Sequence, residues 1–197
     1  VTHKWAVGGT YTVKLTVSDM KGGVASTQIS VTVTDPLNVW NSRTSNSTAS
    51  LRDIASDGNK LVAVASNGEI LTSNDAGVWL KTDLGGNVRL SGVFHYNGLW
   101  LAVGDDYRWS PEGWVGVIYS SADAVTWTRR YIDTTVSTTL KSVSYGNGSW
   151  VAVGDNGKIL SSSDAVTWTP QTSGTTENIA SIAYGNNVFT AVTTKSG

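Results

Sequence analysis

The chain repeats itself, and that constrains its fold more than any local feature. Residues 140–169 read L-K-S-V-S-Y-G-N-G-S-W-V-A-V-G-D-N-G-K-I-L-S-S-S-D-A-V-T-W-T. Two earlier copies run from Leu51 to Trp79 and from Leu90 to Thr128, and a fourth begins at Ile179 as I-A-S-I-A-Y-G-N-N-V-F-T-A-V. Self-similarity at this period marks an architecture in which each unit buries its apolar face against its neighbours.

Each copy holds four short apolar runs. In the third they are Lys141 to Tyr145, Trp150 to Gly154, Lys158 to Ser162 and Thr167 to Thr169. Val, Ile, Trp and Tyr fill the runs, and G-N-G-S and D-N-G-K lie between them. Such runs predict antiparallel strands joined by tight hairpins. The glycines at 146, 148, 154 and 157 break any stripe of helical period. Four strands in roughly forty residues make a propeller blade. The fold class is therefore all-β, with blades at about 51–79, 90–128 and 140–169 and an incomplete blade at 179–197.

The pattern S-x-D-A-x-x-W occurs three times: Ser73, Asp75 and Trp79; Ser121, Asp123 and Trp127; Ser162, Asp164 and Trp168. It is assigned to the last strand of each blade. In a tight turn the Asp carboxylate accepts backbone N–H groups and pins the hairpin. The Trp is the natural large wedge between blades. These turns resemble a shortened Asp-box, the S-x-D-x-G-x-T-W turn of bacterial neuraminidase-type repeats. They have one residue fewer between Asp and Trp, and the box glycine is out of register. The V-A-V-G-D-N-G-K-I frame is similar to repeats of secreted bacterial propellers, including sialidase-like proteins and the photosystem II assembly-factor type. The resemblance runs from Leu37 to the C-terminus. It implies that the box aspartates are structural and lie away from the active face.

Residues 1–34 form a different module. Val13, Leu15 and Val17 alternate with Thr12, Lys14 and Thr16, and Ile29, Val31 and Val33 alternate again, which predicts a hairpin with one buried face. Over His3, Trp5, Gly9, Tyr11, Val13, Leu15, Val17 and Asp19 it resembles the last two strands of a polycystic-kidney-disease (PKD) domain, an immunoglobulin-like sandwich. The family's earlier W-D-F-G-D-G segment is absent. Residues 35–38 are a linker, where Pro36 ends the strand. Trp40 stands eleven residues before Leu51, the spacing that also separates Trp79 from Leu90. Residues 39–41 are therefore expected to be a strand leading into the first blade. The sum is a partial propeller, where closure usually takes four to eight blades. The chain starts without Met and without a signal peptide, and it stops within a blade. It is expected to be a piece of a longer protein, or to be completed by other chains.

Blade two departs from the template. Thirteen residues, Asp105 to Val117, stand where blade three has Asp155 to Lys158. They are read as a long loop on the face that carries the connection into the next blade. Tyr107, Trp109 and Trp114 suit stacking on sugar rings, and Asp106 and Arg108 suit directional hydrogen bonds. Arg129, Arg130 and Tyr131 are placed in the neighbouring connection. These eight residues are the candidate ligand site, on a loop held by a rigid scaffold.

Enzyme chemistry finds little support. His3 and His95 are the two histidines. No Ser-His-Asp order and no His-rich metal spacing stands out. Sialidase-like catalysis needs an axial arginine cluster that Arg108, Arg129 and Arg130 do not form by position. No cofactor is expected. Calcium remains open through Asp105-Asp106 or Asp19, although no twelve-residue calcium loop is present. A net charge of −1 argues against general binding to nucleic acid or anionic membrane. No run approaches the ~20 apolar residues of a membrane span. Without cysteine there is neither a disulfide framework nor a thiolate metal site. The resemblances imply an extracellular or cell-surface, bacterial-type secreted protein. The expected function is a non-catalytic binding or adhesion module for glycan or protein. The alternatives are a surface-assembly subunit that self-associates through open blade edges, and an accessory fragment of a secreted hydrolase.

Overall fold

The computed structural model describes residues 9–18, 24–33, 42–109, 113–134 and 137–194. They fall into two units, Val1–Arg43 and Thr44–Gly197. His3, Trp5, Asp19, the linker and the leading strand at 39–41 lie outside the described residues.

In the first unit, β1 (Gly9–Ser18) pairs antiparallel with β2 (Val24–Val33), from Gly9 opposite Val33 to Ser18 opposite Val24. The hairpin is as expected, and on the face expected to be buried Tyr11 and Val31 are half-buried. Val13 and Ile29 face each other across the ribbon and are 38% and 64% exposed.

The second unit is a partial β-propeller. Blade one comprises β3 (Leu51–Ser56), β4 (Leu61–Ala65), β5 (Glu69–Ser73) and β6 (Leu80–Asp83). Blade two comprises β7 (Val88–Tyr96), β8 (Leu99–Arg108), β9 (Gly113–Ser121) and β10 (Thr128–Ile132). Blade three comprises β11 (Leu140–Gly146), β12 (Ser149–Gly154), β13 (Ile159–Ser162) and β14 (Thr169–Gln171). A two-stranded sheet of β15 (Asn178–Gly185) and β16 (Val188–Thr194) follows. Each sheet is an antiparallel meander in chain order. The hairpins at Asn97-Gly98 and Asn147-Gly148 hold both central residues at positive φ, the geometry that matches strand twist.

The fourth strand of each blade is displaced from its expected place. It starts directly after the turn Trp in every blade, at Leu80, Thr128 and Thr169. The S-x-D-A-x-x-W segment is the turn before it. The cause is local: Asp164 Oδ1 accepts the backbone N–H groups of Val166 and Thr167 at 2.8 Å, so these amides are not free to ladder with β13.

The hydrophobic core is a series of layers between blades. The first layer joins Val62, Val64 and Ile70 of blade one to Leu90, Val93, Trp100, Ala102 and Tyr119 of blade two. The second joins Leu101, Val103 and Ile118 of blade two to Leu140, Val143, Trp150, Ala152 and Leu160 of blade three. The third brings Val151, Val153 and Ile159 against Ile179 and Ile182. Blades two and three thus each have an incoming face, packed on the blade before, and an outgoing face, packed on the strands after. Trp127 and Trp168 pack in the first and second layers.

Candidate functional site

Every innermost strand carries one β-bulge, and the bulges are equivalent. Pairing skips one residue between Leu51 and Asp53, Leu90 and Gly92, Leu140 and Ser142, and Ile179 and Ser181. The extra residues are Arg52, Ser91, Lys141 and Ala180. A bulge re-aims a side chain and locally bends the strand. The bend draws the chain close to the partner strand. A Cβ on Gly104 would lie 1.9 Å from the Arg89 carbonyl oxygen, and one on Gly154 would lie 2.2 Å from that of Thr139, so glycine is required at both places.

All four bulged residues line one cavity of about 380 Å³, together with Arg89, Asp105 and Thr139. The cavity lies where the inner strands of all the blades converge. Arg89 donates from Nε and Nη2 to the two Asp105 carboxylate oxygens at 2.8 and 2.9 Å. Thr139 donates to the same carboxylate at 2.6 Å. Asp105 is buried, and the pair raises the Arg89 pKa above its ordinary value. Lys141 pairs with Asp155 at 3.2 Å. Arg52 is exposed, with no ion pair among the described residues. The cavity therefore presents three cationic side chains and one carboxylate that is already engaged.

The insertion of blade two is a strand extension. β8 and β9 stay in register past the ordinary blade length, with Asp105 opposite Gly116, Asp106 opposite Val115, Tyr107 opposite Trp114 and Arg108 opposite Gly113. This corrects the reading of a thirteen-residue loop. The alternation of the ladder explains it, since Val115 and Val117 are fully buried in the same sheet. Residues 110–112, at the tip, lie outside the described residues.

The extension sorts the candidate residues onto two faces. On one, the Arg89 guanidinium lies over the Trp114 ring at 3.4 Å, Trp114 meets Tyr107 at 4.9 Å between centroids, and Tyr107 meets Trp109 at 5.9 Å. Trp109 ends this ladder and is 84% exposed. On the other, Asp106 accepts ion pairs from Arg108 at 3.2 Å and from Arg129 at 3.5 Å. Asp105 and Asp106 point to opposite sides of the sheet, each held by arginine, and so do not form a shared carboxylate pair. A groove of about 500 Å³ runs between the tip and the preceding connection, lined by Gly86, Asn87, Asp106, Tyr107, Arg108 and Trp109. Within it, Arg108 Nε is buried without a hydrogen-bond acceptor among the described residues.

Arg129, Arg130 and Tyr131 belong to β10, not to the connection that follows it. The S-x-D turn at Asp123 uses the amides of Val125 and Thr126 and pushes the strand onward. A register shift between Arg129 and Tyr131 splits them. Arg129 joins Asp106, whereas Arg130 Nε donates to Ser120 Oγ at 2.7 Å. Tyr131 packs against the layer facing blade three, where burial and the neighbouring Asp133 push its pKa up to about 12. Asp133 is itself paired with Lys158 of blade three. His95 rests on Trp100 at 4.4 Å.

The three S-x-D turns lie at the far side of their blades from this cavity. In each, the Ser hydroxyl donates to Asp Oδ1, at 3.1, 2.8 and 2.9 Å in blades one to three. The Asp pKa values are pulled below the ordinary carboxylate range by backbone N–H donors first and the Ser hydroxyl next, to about 2 for Asp164. The turns also link blades: Thr72 Oγ1 donates to the Ala124 carbonyl at 3.0 Å and Lys60 Nζ to that of Asp123 at 2.6 Å.

The cavity residues Arg52, Arg89 and Lys141 were not legible as a site in the sequence. The available signal was small: the position after the repeated Leu or Ile is Arg, Ser, Lys or Ala, while its neighbours keep their type.

No family model and no curated protein matches the chain. Solved structures do. The computationally designed Ika4 protein is similar over 79% of this chain and 92% of its own length, with a TM-score of 0.54 and 9% identity. YCF48 from Cyanidioschyzon merolae is similar over 77% of this chain, with a TM-score of 0.51 and 17% identity. The chain spans 58% of the YCF48 structure. These likenesses concern the fold, and they agree with a partial β-propeller.

Proposed function

We propose that this chain is a non-catalytic binding module of an extracellular or cell-surface protein, and that its ligand is a glycan held at the blade-two end of the propeller. One observation carries the reading: the aromatic ladder from Trp114 to the exposed Trp109 is anchored on Arg89, which also lines the cavity with Arg52 and Lys141. An exposed indole beside a polar groove suits the apolar face of a sugar ring, and the guanidinium groups suit hydroxyl and acidic substituents. The ladder is preassembled, so little ordering is required on binding. The resemblances of the first unit to PKD strands and of the turns to Asp-boxes support the extracellular setting.

The test is calorimetric titration of neutral and acidic oligosaccharides into the wild type, Trp109→Ala and Arg52→Ala. Loss of oligosaccharide binding in Trp109→Ala, with the melting temperature kept, supports the reading. Binding left untouched by both substitutions removes this face as the site. A wild type that binds no oligosaccharide removes the glycan and leaves a protein ligand to be sought.

A further inference from the structure

The extended hairpin of blade two carries a positive charge that has no carboxylate of its own. The other ion pairs among the described residues match one cation to one carboxylate: Lys81 to Glu69, Arg89 to Asp105, Lys141 to Asp155 and Lys158 to Asp133. Asp106 is shared instead. Arg108 Nη2 reaches its Oδ2 at 3.2 Å, and Arg129 Nη1 reaches the same oxygen at 3.5 Å. Asp106 is buried, while both arginine side chains keep part of their surface in water. Two guanidinium groups against one carboxylate leave one positive charge over.

The two arginines are placed differently. Arg129 lies in the β9–β10 ladder opposite Tyr119. Arg108 ends β8 and lines the groove of about 500 Å³, and its Nε has no acceptor among the described residues. Because Arg129 also holds Asp106, the Arg108 guanidinium is incompletely matched within the chain. Such a group suits the paired oxygens of a carboxylate or sulfate. Trp109, the exposed end of the aromatic ladder, lines the same groove. The opposite wall is Gly86 and Asn87, tied to the extension where the Tyr107 N–H donates to the Asn87 carbonyl at 3.4 Å. A Cβ on Gly86 would meet nothing within 4 Å, so there is room on that side. Consecutive residues thus offer an indole face and an unmatched cation to one groove. A neutral ligand laid over Arg108 would strip it of water and return no charge, and is penalised.

We infer that this groove takes an acidic saccharide, with a sugar ring on Trp109 and a carboxylate or sulfate on Arg108. Arg129 is a positioning residue that acts by holding Asp106. The inference rests on the glycan reading above and narrows it, placing the anion here rather than among the cations of the axial cavity.

The test is calorimetric titration of the full 197-residue chain with three probes. They are an oligogalacturonide, its methyl ester, which keeps the rings and removes the charge, and a sulfated galactan oligosaccharide. At least one acidic probe is expected to bind roughly tenfold more tightly than the ester, and the two acidic arms separate carboxylate from sulfate. Arg108→Gln removes the contact, and Arg129→Gln returns Asp106 to Arg108, so each is expected to shrink that preference. Asp106→Asn removes the competing carboxylate and is expected to widen it, which a merely structural role would not do. Trp109→Ala is expected to weaken acid and ester alike. Equal affinity of the wild type for acid and ester overturns the inference and leaves the glycan reading standing. A preference that survives Arg108→Gln and disappears in Arg52→Ala also overturns it, because the anion then sits in the axial cavity. Absence of saccharide binding, or tighter binding of a polyglutamate peptide than of any saccharide, removes the glycan reading and the inference with it.

Discussion

The Arg89 guanidinium carbon lies 3.4 Å from the centroid of the Trp114 ring. The same group grips Asp105, which is 1% exposed and also receives the Thr139 hydroxyl from the connection into blade three. One side chain therefore ties the extended hairpin, the axial cavity and the junction of two blades. Structure and proposed function meet at this residue.

Trp109 and Trp114 belong to one ladder but should fail differently. Trp114 is half-buried under Arg89, and Trp114→Ala is expected to cost about 1–2 kcal/mol from the lost cation–π contact and packing. Trp109 is exposed, and Trp109→Ala is expected to leave stability within about 0.5 kcal/mol while weakening ligand binding. Urea unfolding of the two variants separates the cases.

Asp105→Ala leaves a partly buried guanidinium without its carboxylate. Breaking such a pair typically costs about 3–5 kcal/mol, and Arg89 is exposed enough to recover part of that from water. The expected loss is about 2–3 kcal/mol by urea unfolding. Arg89→Ala with Asp105→Ala together should cost less than the sum of the two single changes.

The aspartates of the S-x-D turns set a pH window. Asp164 is held at about 2 in the folded chain against an ordinary value of 3.8, so the unfolded state binds its proton more readily. The resulting stabilisation is fully present above about pH 4 and is lost as pH falls through about 2. Thermal melts of wild type between pH 6 and 2 should show this loss. Asp164→Asn should melt lower at pH 6 and flatten the acid slope.

The alanines of the S-x-D-A turns sit in the left-handed region, at φ 58, 62 and 60 for Ala76, Ala124 and Ala165. Ala124 and Ala165 are buried in the layers between blades, so glycine there relieves strain but loses a packed methyl, and the two effects nearly cancel. Ala76 is not in a buried layer, and Ala76→Gly is expected to stabilise by about 0.5 kcal/mol. Ala165→Val is expected to cost about 2 kcal/mol or more, because a β-branched residue at positive φ in a filled layer meets both penalties. Melting temperatures of these four variants check the order.

Much of the fold was legible because it is local chemistry repeated. Asn-Gly pairs fix the hairpins, alternation fixes the faces of each strand, and the shared period fixes the blade. The errors were also local. The fourth strands were set too early because the carboxylate of Asp164 competes with the ladder for the amides of Val166 and Thr167. The blade-two insertion reads as a loop because Asp105, Asp106, Tyr107 and Arg108 are polar or amphipathic, whereas their cross-strand partners Gly116, Val115, Trp114 and Gly113 emerge only from the register.

The sequence by itself determined that this chain is a stack of four-stranded antiparallel units, since hairpin chemistry and strand alternation act over a few residues and recur in every copy. The tertiary structure alone decided which side chains meet around the cavity. Arg52, Ser91, Lys141 and Ala180 are 39, 50 and 39 residues apart in sequence, and only the equivalent bulges, stacked around one axis, turn them into the wall of a single cavity. The physical reason is that a bulge is set by backbone register between strands, which the residue types at those positions do not encode.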